Sequence, residues 1–124
     1  MLNKLWKSLM YALQGIRYGF VTRKNITLFV SFAVIVAFLL IWLGTSKIKF
    51  AIIMTAWILI IIMEITNSAI EKIIDTLHPE YSNGMGHAKD MMSGAVFLAI
   101  VTAFCVTLLM VWDPLAAKIA AMVR

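Results

Sequence analysis

Residues 50–75 read FAIIMTAWILIIIMEITNSAIEKIID, and this stretch decides the fold. Phe50 to Met63 is an uncharged, apolar run of 14 residues. By itself that run is short for a bilayer, which takes about 20 mostly apolar residues of helix. Glu64 interrupts it, Ile65 to Ile70 is again uncharged, and Glu71 and Asp75 follow. Read as one helix, residues 50–76 are long enough to cross a membrane and emerge into water.

The flanking runs need no such argument. Asn25 to Ser46 and Met91 to Trp112 each hold 22 residues without a charge. They predict a first span over 26–46 and a third over 91–112, joined to the second by a short turn and by a cytoplasmic loop over 77–90. The first run does not read as a signal peptide, because no small-residue cleavage site follows it. The chain of 124 residues is 63% hydrophobic and 14% charged, against about 25% charged in a soluble domain. That composition predicts a single all-α integral membrane domain. It excludes disorder and leaves no room for a soluble nucleotide-binding sheet.

Residues 1–22 form a separate element. Leu2, Leu5, Trp6, Leu9, Leu13, Ile16 and Phe20 recur at helical spacing, with Lys4, Lys7, Tyr11, Gln14 and Arg17 largely between them. This pattern predicts an amphipathic helix lying in the membrane interface. The net charge is +5. The basic residues flank apolar runs, which points to an anionic lipid surface and to no nucleic-acid partner. With the N-terminus inside, seven basic residues fall on the cytoplasmic side and four outside, Lys47, Lys49, Lys118 and Arg124. The loop after the second span is then cytoplasmic.

The acidic residues are few and clustered: five of six lie between Glu64 and Asp90. At 100° per residue, with Glu64 at zero, Asn67 falls at about −60°, Ser68 at about +40°, Glu71 at about −20° and Asp75 at about +20°. A solvated helix end accounts for Asp75 and Glu71. It does not account for Glu64, which follows an unbroken apolar run and is costly in a bilayer without a partner. A carboxylate at the membrane edge can take a proton from a lipid hydroxyl. Glu71, further out, would reach a hard cation such as magnesium, which takes one or two carboxylates plus substrate phosphates. Lys89, in Gly86-His87-Ala88-Lys89-Asp90 at the start of the third span, suits phosphate oxygens, and the helix N-terminus there adds unpaired N–H groups. Gly84 and Gly86 read as turn residues, and no phosphate-binding Gly-rich loop ending in Gly-Lys-Ser/Thr is present.

Other residues carry less. His78 and His87 do not have zinc-ligand spacing, and His78-Pro79 reads as a helix stop. Cys105 is the one cysteine, so no internal disulfide forms. Ala95, Ala99 and Ala103, with Gly94 beside them, permit close helix packing in a bilayer. Trp6 and Trp112 read as interface anchors.

Glu64-x-x-Asn67-Ser68-Ala69-Ile70-Glu71-x-x-x-Asp75, followed by Ala88-Lys89-Asp90 and Ser93-Gly94-Ala95-Val96, resembles the prokaryotic diacylglycerol kinase family, which includes the undecaprenol kinases. The resemblance runs from about Lys4 to Trp112. It implies a homotrimer with three spans and a surface helix per chain, with active sites shared between subunits at the cytoplasmic face of the bacterial inner membrane. It implies transfer of the ATP γ-phosphate to a membrane lipid alcohol with magnesium (Mg2+). On this resemblance Glu64 is the catalytic base, Asn67 belongs to the same site and Glu71 is the metal ligand. Lys89 and Asp90 match a nucleotide-phosphate pair, and Glu80, Tyr81 and Ser82 match a nucleotide-contacting stretch. Tyr11 and Lys4 match further nucleotide-side positions.

One position departs from the family. Arg23 stands where the family carries a glutamate, the second metal carboxylate. Magnesium is then held by Glu71, phosphates and water, or Asp75 substitutes, or the chain is a weakened family member. Arg23 itself could touch a phosphate. Asn25 and Pro79-Glu80-Tyr81 are similar to undecaprenol kinases, and Lys89-Asp90-Met91 to diacylglycerol kinases of Gram-negative bacteria. Diacylglycerol is placed ahead of undecaprenol as substrate. A small proton-coupled transporter using Glu64 is the alternative from another class.

Overall fold

The computed structural model describes residues 1–77, 80 and 82–123. Among the described residues there are four helices, α1 (Leu2–Thr22), α2 (Lys24–Leu43), α3 (Lys47–Leu77) and α4 (Asn83–Met122), and no strand. The last three helices are long and apolar enough to cross a membrane. The expected surface helix over 1–22 is α1, and its apolar residues, from Leu2 to Phe20, are left exposed by the chain's own helices. An interfacial helix buries such a face in the headgroup boundary.

A single extended residue, Arg23 (φ −126°, ψ 107°), separates α1 from α2. The elbow is tight because α1 comes close to α2 at Gly19, where a Cβ would sit 3.0 Å from Ile26 Cδ1. At the other end of α2, Gly44 adopts the left-handed region at φ 65°. Its N–H donates to Ile41 O, and the Thr45 N–H donates to Leu40 O. This Schellman turn closes two of the orphan carbonyls of α2 and reverses the chain into α3.

The core lies where α3 meets α4 and α2. Ala33, Leu40, Ile53, Trp57, Ile60, Ala99 and Ala103 are buried there together. Trp57 is its centre, 1% exposed, with Phe32 stacked at 6.2 Å and Phe104 tilted at 5.3 Å between ring centroids. Its indole N–H donates to Thr107 Oγ1, which donates in turn to Ala103 O. An indole N–H in hydrocarbon needs such a partner. The small residues Ala99 and Ala103 let α4 approach this tryptophan. Gly94, by contrast, is exposed, and a Cβ there would meet nothing within 4 Å among the described residues.

Two sequence expectations need correcting. The segment expected as a loop over 77–90 is largely helix, since α4 begins at Asn83. Ser82 is its N-cap, its Oγ accepting from the Met85 N–H and its carbonyl from the Gly86 N–H. Capped in this way, the helix takes Gly84 and Gly86 into its first turn. Lys89 is therefore well inside α4 and not at its N-terminus. The helix also runs past the expected end at Trp112 to Met122, through Pro114. Proline has no N–H, so Met110 O loses its normal helical donor. Lys49 Nζ, from the start of α3, donates to Met110 O at 3.3 Å.

Lys118 Nζ similarly donates to Trp42 O at 2.9 Å and lies over the Trp42 ring. Two of the four basic residues counted outside thus serve helix carbonyls at the end of the bundle remote from Glu71 and Asp75. The pairing of Lys49 with the proline gap is testable by a double-mutant cycle. Lys49→Met is expected to destabilise the fold by about 1 kcal/mol. In a Pro114→Ala background, where the N–H returns, the same substitution is expected to cost less than half as much. Unfolding titrations in detergent micelles read both values.

Candidate functional site

The acidic stripe of α3 passes from the core into the open. Glu64 is 4% exposed and Asn67 7% exposed, Glu71 is half-buried, and Asp75 is exposed. Each of its carboxylates meets a donor. The Asn25 amide Nδ2 donates to Glu64 Oε1 at 3.1 Å. The Asn67 amide Nδ2 donates to Glu71 Oε1 at 3.1 Å, and Arg23 Nη2 pairs with Glu71 Oε2 at 2.6 Å. Further out, Lys89 of α4 pairs with Asp75.

Three elements therefore converge on α3. The elbow brings Arg23 and the first turn of α2 brings Asn25, because the α1–α2 break occurs beside the stripe. The first turns of α4 bring Lys89. The sequence expectation set both Lys89 and Asp90 on the nucleotide phosphates; in the structure Lys89 turns to Asp75. Asp90 is exposed on α4. Residues three or four apart share a helix face, whereas adjacent residues do not, so Lys89 and Asp90 diverge.

Two cavities flank the stripe. One of about 280 Å³ is lined by Arg23, Asn25, Glu64, Asn67, Glu71 and Ser93, among others. The other, about 580 Å³, lies between α1 and α3 and is lined by residues including Tyr18, Gly19, Arg23, Ser68, Lys72 and Asp75. Arg23 faces both. Among the described residues, Asn67 Oδ1 and Ser68 Oγ are buried without a hydrogen-bond partner. Orphaned polar atoms of this kind are costly in a low-dielectric setting. Asn67 lines the smaller cavity and Ser68 the larger one.

The chain matches the prokaryotic diacylglycerol kinase family over residues 10–111. It belongs to that family. It is similar to the diacylglycerol kinase of Escherichia coli (strain K12), with 31% identity over 114 residues, covering 90% of this chain and 91% of that protein. It is also similar to the diacylglycerol kinase of Haemophilus influenzae, with 34% identity over 102 residues, covering 80% of this chain and 84% of that protein. A Synechocystis diacylglycerol kinase is 35% identical over 102 residues, covering 80% of this chain and 57% of that protein. The chain is accordingly a kinase, a phosphotransferase with an alcohol acceptor. The transporter alternative falls with that membership.

In this kinase the expected site residues separate into two sets. Arg23, Glu64, Asn67, Glu71, Asp75 and Lys89 are drawn together within one chain. Lys4 and Tyr11 are exposed on α1, and Lys4 precedes the residues matched to the family. Glu80 is exposed and Ser82 caps α4. Tyr81 lies outside the described residues, as do His78 and Pro79. Among the described residues, no group of three His, Cys, Asp or Glu side chains is placed to hold a metal ion. Sequence reasoning missed Asn25 as a site residue. Its signal was a primary amide one residue beyond the last charge before the first span.

Asn25 is the partner that makes a buried Glu64 tolerable. Asn25→Leu removes the only donor the structure gives Glu64 among the described residues and leaves a buried acceptor unpaired. The expected cost is about 1–3 kcal/mol of stability, read by unfolding in detergent micelles. Asn25→Leu combined with Glu64→Leu is expected to recover most of it, since then neither partner is left unpaired.

Proposed function

We propose that this kinase phosphorylates a membrane lipid alcohol with ATP at the cytoplasmic face of a bacterial inner membrane. The observation that carries the reading is the smaller cavity. It opens beside a buried carboxylate, Glu64, with one oxygen held by Asn25 and an unpartnered acceptor, Asn67 Oδ1, alongside. A lipid hydroxyl is a donor that Glu64 can accept from.

Glu64 takes the hydroxyl proton as the lipid oxygen bonds to the γ-phosphorus. The bond from that phosphorus to the β-phosphate oxygen breaks, and ADP leaves with the electron pair. Asn25 holds Glu64 Oε1, which leaves Oε2 for the proton. Asn67 holds Glu71 beside the same cavity through its amide N–H. Lys89, on the outer part of the stripe, offers a point charge to the nucleotide phosphates in exchange for Asp75. Positioning and charge stabilisation are the main work in phosphoryl transfer, because the transition state leaves little covalent chemistry to the protein.

Magnesium enters this proposal as an ion carried on the nucleotide phosphates. The residues do not fit an ion held by the protein itself. Glu71 has one oxygen taken by Arg23 and the other by Asn67, and Asp75 is paired with Lys89. Lys4, Tyr11, Glu80, Tyr81, Ser82 and Asp90 complete the nucleotide side in the proposal. Lys4 and Tyr11 lie on an uncovered α1 face, and they would reach a nucleotide in a homotrimer whose sites lie between neighbouring copies. Diacylglycerol is the preferred acceptor, which yields phosphatidic acid. The names of the three relatives support it over undecaprenol.

Labelled ATP offered to the detergent-solubilised protein with equal diacylglycerol and undecaprenol tests the reading. Label is expected mainly in phosphatidic acid. Predominant label in undecaprenyl phosphate overturns the substrate, and no labelled lipid overturns the kinase reading. Glu64→Gln keeps the shape and the Asn25 contact but cannot accept the proton. It is expected to lower kcat about 10²–10⁴-fold with ATP binding retained. Full activity in that variant removes Glu64 from the role of base.

A further inference from the structure

Arg23 occupies an unusual place. It is the sole residue of the α1–α2 elbow, its guanidinium pairs with Glu71 Oε2 at 2.6 Å, and it faces both cavities. The smaller cavity holds Glu64, and the larger holds Lys72 and Asp75.

A divalent ion on Glu71 would compete with this arrangement. Magnesium sits about 2.1 Å from its oxygen ligands. An ion on Glu71 Oε2 would therefore lie within about 5 Å of the Arg23 guanidinium, where two positive charges repel strongly at low dielectric. The other oxygen, Oε1, already accepts from Asn67. The pair forms within one chain and is partly buried, with side-chain exposures of 37% and 22%.

We propose that Arg23 is the resident cation of this site. It neutralises Glu71 in place of a protein-held divalent ion and presents its remaining N–H groups to the nucleotide phosphates. An arginine suits both duties, since its planar fork offers five donors and never deprotonates. The phosphate contact rests on the lipid-kinase reading, whereas the exclusion of a divalent ion from Glu71 does not.

The experiment uses manganese as a paramagnetic probe on the full-length protein in detergent, without nucleotide, read by electron paramagnetic resonance. The wild type is expected to bind no manganese at millimolar concentration. Arg23→Glu removes the cation and sets a second carboxylate beside Glu71. It is expected to bind one manganese per chain at least tenfold more tightly than the wild type, and Arg23→Glu with Glu71→Gln to lose that gain. Equal manganese binding by wild type and Arg23→Glu, or binding by neither, overturns the proposal.

A second variant guards against misfolding of the charge reversal. Arg23→Gln keeps a polar side chain at the elbow. It is expected to weaken metal-free ATP binding roughly ten- to a hundredfold, the loss of one charged hydrogen-bonding partner. Unchanged metal-free ATP affinity overturns the phosphate contact. If the wild type labels no lipid while the manganese contrast appears, the kinase reading fails and the Glu71–Arg23 assignment stands. If lipid is labelled and the manganese contrast is missing, the reverse holds.

Discussion

A carboxylate on a helix that runs through hydrocarbon must find a donor, and α3 carries three carboxylates on one face. Glu64, Glu71 and Asp75 descend from the core toward water, and the chain meets each with a different element. Asn25 comes from the first turn of α2, Arg23 from the elbow before it, and Lys89 from α4. Without water the cost of an unpaired charge is high, so these pairings constrain how α1, α2 and α4 can sit on α3. The candidate site and the registration of the helices follow from one requirement.

The same accounting governs the opposite end of the bundle. Orphan carbonyls at a helix end or beneath a proline are as costly in a bilayer as a lone carboxylate. Gly44 and Thr45 close two carbonyls of α2 by a Schellman turn, Lys118 closes a third, and Lys49 fills the gap left by Pro114. In this protein polar residues at the membrane edge are mostly partners for backbone or for one another. Those left without a partner among the described residues, Asn67 Oδ1 and Ser68 Oγ, stand out for that reason. Their residues line the two cavities on either side of the stripe.

Much of the fold was legible beforehand. Apolar runs of membrane length and the amphipathic period of residues 1–22 follow from single-helix geometry, which is local. The helix ends were less legible. Ser82 caps α4 and draws Gly84 and Gly86 into the helix, although Asn-Gly-Met-Gly reads as a turn. Pro114 fails to stop α4 because a lysine 65 positions earlier covers the carbonyl it exposes. Of the site, the α3 residues were legible from their angular positions, since one helix carries them all. Asn25 was not, because only the packing of α2 on α3 makes it a partner of Glu64.

The sequence by itself determined the membrane class, the number of long helices and the face of α3 on which chemistry can occur. Each of these depends on residue type and helical period within one segment. The tertiary structure decided the partners: Asn25 for Glu64, Arg23 for Glu71, and Lys89 for Asp75. These contacts join residues 14 to 48 positions apart, and helical periodicity does not reach across a turn. Arg23 shows the difference most sharply. In the sequence it is a basic residue standing where the family carries a glutamate, with no partner assigned. Folded, it lies between two cavities with its charge on Glu71, because a single extended residue at the elbow turns it toward α3.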